Sequence, residues 1–97
     1  MIPTALRVAR NAVESLSDVD VQVVVQGTAV TGVTVEGGFE DDLATAMDEG
    51  LDIVACANSM RRAGVDPDQV IPGVGTVPAA VVHLAERQWA GAAYVRI

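Results

Sequence analysis

Helical rhythm and short runs of β-branched residues alternate along the whole of this chain, an order that few architectures accept. Leu6, Ala9, Val13 and Leu16 recur at helical spacing behind Pro3, which suits a first helical position, while Arg7, Arg10 and Glu14 mark the wet face. A helix over residues 3–16 follows. Residues 19–25 are rich in valine and end in Val23-Val24-Val25, apolar without alternation, as in a strand buried on both faces. Gln26-Gly27-Thr28 breaks it. Residues 29–35 read two ways: Val and Thr favour a strand, whereas Gly32 and the pair Gly37-Gly38 favour a loop.

Glu40-Asp41-Asp42 loads acids into a first helical turn, where the helix dipole favours them, and Phe39, Leu43 and Met47 form an apolar stripe that Gly50 ends. This predicts a helix over residues 39–49. A strand follows at 51–55, then Cys56, then a short helix over 58–63 with Gly64 at its end. Asp66-Pro67-Asp68-Gln69 has an acid to cap, proline to start and glutamine to close a single helical turn. After the turn at Pro72-Gly73 come a strand at 74–77, a helix opened by Pro78 with Val82, Ala85 and Trp89 on one face, and a closing strand at 92–97. Helix and strand thus alternate four times, which predicts an α/β/α sandwich whose four strands form one mainly parallel sheet with helices on both faces. Such a domain usually opens with a strand and this chain opens with a helix, so either its first strand is absent or the start is late.

At 97 residues and 10.0 kDa the chain has room for one domain, spanning 1–97. Aromatics are 3% of it, so Val, Ala, Leu and Ile must build the core. A domain this small buries only ~60–65% of its unfolded surface, which makes a homo-oligomer the expected state, with Trp89, Tyr94 and neighbouring valines as anchors. Thirteen acids face six bases, all arginine, and the net charge of −7 argues against nucleic acid and anionic membranes as partners. The uncharged stretches 21–35 and 70–82 are too short to span a bilayer, and Arg7 and Arg10 interrupt any secretory signal. One cysteine, Cys56, allows no internal disulfide and fits a reducing cytoplasm; with His83 as the one histidine, no metal site is expected, and no cofactor either.

The runs DIVACANSMRRAG at 52–64 and VIPGVGTVPA at 70–79, followed by Arg87-Gln88 and GAAYVR at 91–96, resemble the DsrE/DsrF-like family, in its intracellular sulfur oxidation branch. Arg10-Asn11 matches that branch's Arg-Asn in the first helix. Gln26-Gly27 stands at its His-Gly position, where the glutamine removes a titratable group. The resemblance covers residues 6–97, and the family's first strand is missing from it. It implies a five-stranded, mainly parallel sheet and homo-oligomers, often trimers or hexamers. It also implies a cysteine that carries sulfur as a persulfide between a donor and an acceptor protein.

Cys56 stands at the carboxyl end of a strand, where open α/β sheets place their ligands, and at the start of the next helix. A helix N-terminus is worth ~0.3–1 kcal/mol to a nearby anion, at most ~0.7 of a pKa unit, so a strongly activated thiolate does not follow from the sequence. The alternative is a small buried hydrophobe. Asn58 and Ser59 fit a ligand site or, more simply, capping of the short helix; Gln26 and Gly27, at another strand end, fit a binding loop lining the same crevice as Cys56 or, more simply, a turn. His83 pairs naturally with Arg87 one turn on. Trp89 and Tyr94 fit core or subunit interface. Two functions remain: a sulfur-relay protein holding a persulfide on Cys56, or a non-catalytic oligomeric module that binds a small ligand or a protein. A thiol-dependent reductase or transferase is weaker, since no resolving cysteine accompanies Cys56.

Overall fold

The computed structural model describes residues 2–16 and 18–97. Helix α1 (Ile2–Ser15) buries Ile2, Leu6 and Ala9, so the inner half of the expected stripe meets the core while Val13 and Leu16 stay exposed. Strand β1 (Gln22–Val25) is shorter than expected, because Asp18 adopts φ 57° and the chain becomes regular only at Gln22. Helix α2 (Glu40–Asp48) carries its three acids in the first turn and ends before Gly50, at φ 97°. Strand β2 (Asp52–Cys56) runs directly into α3 (Ala57–Ala63), which Gly64 closes in the left-handed conformation. A single 3-10 turn at Pro67–Gln69 is held by the Gln69 side-chain carbonyl accepting from the Asp66 N–H at 2.8 Å. Strand β3 (Gly75–Val77) and helix α4 (Ala80–Trp89) complete the regular structure.

The strands pair in the order β1-β2-β3, all parallel, with Gln22 opposite Asp52 and Val54 opposite Gly75. Alternation then sorts their side chains. Val23, Val25, Ile53 and Ala55 face the main core, built with Leu6, Leu43, Ala46 and Met60 from the first three helices. Gln22, Val24, Val54 and Cys56 point to the other face, where α4 sits: Ala80 meets Cys56, and His83 meets Gln22. The sandwich therefore has helices on both sides of a parallel sheet, as the alternation predicts.

Two expectations need correction. Residues 92–97 form no strand among the described residues, so the sheet has three strands and neither four nor five. Gly91 turns the chain at φ 102° and the Ala92 N–H folds back onto the Arg87 carbonyl, after which the segment stays exposed and pairs with no strand among the described residues. Tyr, Val and Ile give it strand composition, but that preference is realised only against a partner strand. Trp89 is no core residue either: it is 83% exposed on the outer side of α4.

The ambiguous segment is neither strand nor loop. It is a 3-10 helix, Gly27–Val33, with Val30 and Val33 fully buried. At three residues per turn these two side chains stack on one edge, and that edge packs beside Met60 in the core. Gly37 returns so closely over it that a β-carbon there would lie 2.6 Å from the Thr31 carbonyl oxygen.

Candidate functional site

The site grows from the strand-to-helix junction at Cys56. Extended backbone at Cys56 (φ −77°, ψ 117°) makes this residue itself the N-cap of α3. Asn58 and Ser59 are consequently second and third in the helix and do not cap it, contrary to the simpler reading of their residue types. The Asn58 side-chain oxygen accepts a hydrogen bond from Arg61, and its N–H donates to the Pro78 carbonyl at 3.3 Å, which ties α3 to the segment entering α4.

Ser59 points the other way. Its hydroxyl oxygen accepts the Gly27 N–H at 2.9 Å, and Gly27 (φ 63°) opens the 3-10 helix that leaves β1. Gln26 sits exposed beside it. From α4, the Ala80 N–H donates to Cys56 Sγ at 3.4 Å. Ala80 is the first residue of α4, so the positive ends of two helices converge on one sulfur.

The thiol is buried, with Cys56 4% exposed, and burial by itself pushes its pKa up. The Ser59 hydroxyl and the N–H groups of Ser59, Ala80 and Asn58 act against that and bring it below the ordinary thiol value. A buried sulfur surrounded by donors on two sides is a place for negative charge, and deprotonation there yields a nucleophile.

Of the residues singled out in the sequence, Cys56, Ser59, Asn58 and Gly27 meet at one junction; Gln26, exposed, precedes Gly27 in the chain. Ala80 is the member that sequence reasoning misses. Alanine carries no side-chain chemistry, and its contribution is a backbone N–H brought in from 24 residues away. His83 is also placed differently: it bonds to the Gln22 side-chain oxygen, and Gln22 in turn donates to Asp52 at 2.7 Å, so the histidine fastens α4 to the sheet instead of pairing with Arg87.

An α/β sandwich with a donor-lined cysteine at the carboxyl end of its middle strand defines a class of small thiol-bearing proteins. The family model of the DsrE/DsrF-like family matches residues 3–97, and the chain belongs to that family. It is similar in structure to a protein of unknown function from Methanobacterium thermoautotrophicum, MTH1491, with 28% identity and a TM-score of 0.93 over 99% of this chain and 86% of that one. No curated protein matches the chain by sequence. Among the described residues no helix is long and apolar enough to cross a membrane.

Proposed function

We infer that the chain is a sulfur carrier in which Cys56 holds a persulfide for a partner protein. The observation that carries this reading is the set of donors around Cys56 Sγ, namely the Ser59 hydroxyl from α3 and the Ala80 N–H from α4. The Cys56 thiolate attacks the outer sulfur of a donor persulfide; a new S–S bond forms at Cys56, the donor's S–S bond breaks, and the donor leaves as a thiolate. Delivery to an acceptor thiolate repeats the exchange in reverse, and no external oxidant or reductant enters. A persulfide is more acidic than a thiol, so the same donors stabilise it as an anion.

Cys56 is only 4% exposed. That burial favours a second reading, in which Cys56 is a structural acceptor for the Ala80 N–H in a binding module and carries no sulfur. Mass spectrometry of the protein from its native host separates the two. A labile addition of one or more sulfur atoms on Cys56, removed by reductant, supports the carrier. An unmodified thiol, with no loading when a persulfide donor is supplied in vitro, overturns it.

A further inference from the structure

The donors around Cys56 differ in how they are held there. The Ser59 hydroxyl and the N–H groups of Ser59 and Asn58 belong to α3, which continues directly from Cys56, so chain connectivity keeps them near the sulfur. The Ala80 N–H arrives from 24 residues away, and its place depends on where α4 lies. Packing gives that helix little hold. Among its described residues only Ala80 is buried, while Val81 and Val82 are 74% and 54% exposed. Apart from Ala80 itself and the Pro78 carbonyl just ahead of it, the first turn of α4 is tied down by the hydrogen bond between His83 and Gln22.

The chemistry of that tie is directional. Asp52 lies opposite Gln22 in the parallel register, and its carboxylate only accepts, so the Gln22 amide turns its N–H to Asp52 at 2.7 Å and its oxygen to His83. His83 must then carry a proton on Nε2 and donate it, whatever the state of Nδ1. Residues three apart share one face of a helix, and the His83 N–H on the Ala79 carbonyl at 3.0 Å closes the turn that contains Ala80. Gripping His83 therefore fixes where the Ala80 N–H stands against Cys56.

We propose that His83 is a positioning residue for Cys56: the chain Asp52–Gln22–His83 seats the first turn of α4 so that the Ala80 N–H reaches the sulfur. The link acts on the thiol itself and stands apart from whether a second sulfur is carried. The test is the pH dependence of iodoacetamide alkylation on the full chain, whose midpoint reads the ionisation of Cys56 and whose plateau reads access. His83→Ala and Gln22→Met are each expected to raise the midpoint by about half a pH unit, roughly a threefold loss of thiolate below it. The two together raise it no further, because both cut one link. His83→Gln, whose terminal amide offers an N–H in place of that on Nε2, returns the midpoint to that of the wild type. Circular dichroism confirms the fold of each variant, and Gln22→Met reads the link without altering α4. A midpoint that stays at the wild-type value in Gln22→Met, shifts that add in the double variant, or no recovery in His83→Gln each overturns the proposal.

Discussion

The Gly27 N–H donates to the hydroxyl oxygen of Ser59 over 2.9 Å, which leaves the Ser59 proton free to turn towards Cys56 Sγ. The amide that opens the 3-10 helix after β1 therefore orients the Ser59 hydroxyl beside the sulfur. Gly27 contributes conformation as well as a donor, since its φ of 63° lies in the left-handed region.

Ser59→Ala removes that hydroxyl and leaves the Gly27 N–H without its acceptor. The fold is expected to lose about 1 kcal/mol, typical of one hydrogen bond. The titration midpoint of Cys56 moves up, because a lowering influence is gone while burial persists. The pH dependence of iodoacetamide alkylation measures this directly: an unchanged midpoint would show that Ser59 has no hold on the thiol.

Stability should depend on pH through the same group. Cys56 has its pKa lowered by folding, so between its native value and the ordinary thiol value of ~8.5 the unfolded chain binds more protons than the folded one. Stability from this group is accordingly absent below the native pKa, rises with pH across that window, and is fully present above the unfolded value. Urea melts of the wild type and of Cys56→Ser across this range give the contribution as the difference in slope; parallel curves would contradict it.

Cys56→Ser keeps an acceptor for the Ala80 N–H in nearly the same volume, so fold and assembly are expected to survive while sulfur loading is lost. Cys56→Val fills the space without accepting, which leaves the buried Ala80 N–H unpaired at a cost of roughly 1–3 kcal/mol. Thermal melts rank the two variants, and equal stability would mean that the contact to Ala80 carries little energy.

Gly37→Ala places a β-carbon 2.6 Å from the Thr31 carbonyl oxygen and close to the Gly32 backbone, neither of which can swing away. Relief requires the 3-10 helix to shift, at a cost of about 1–3 kcal/mol. A denaturant midpoint equal to that of the wild type would show this crossing to be looser than described.

The helices, the parallel sheet and the cysteine at the end of one of its strands were legible because each rests on local signals: spacing for Leu6 and Ala9, unalternated valine at 23–25, glycine at 64. Residues 29–35 were not, because valines at 30 and 33 serve a 3-10 turn as well as they serve a strand, and packing beside α3 decides between them. Residues 92–97 were misread for the converse reason: their composition is that of a strand, but pairing depends on a partner edge that composition does not contain. At the site, the dipole of one helix sets a modest limit on activation. The structure adds lowering influences that spacing does not show, from the Ser59 hydroxyl and from Ala80, whose arrival from α4 is a matter of topology.

His83, Gln22 and Asp52 are joined hand to hand across α4, β1 and β2, and the joining makes them a single unit of inheritance. A lineage that replaces the histidine strands the amide of Gln22, and one that replaces Gln22 releases both neighbours. Changes at positions 22, 52 and 83 should therefore arrive together in related chains, with a compensating set appearing wherever one of the three is lost.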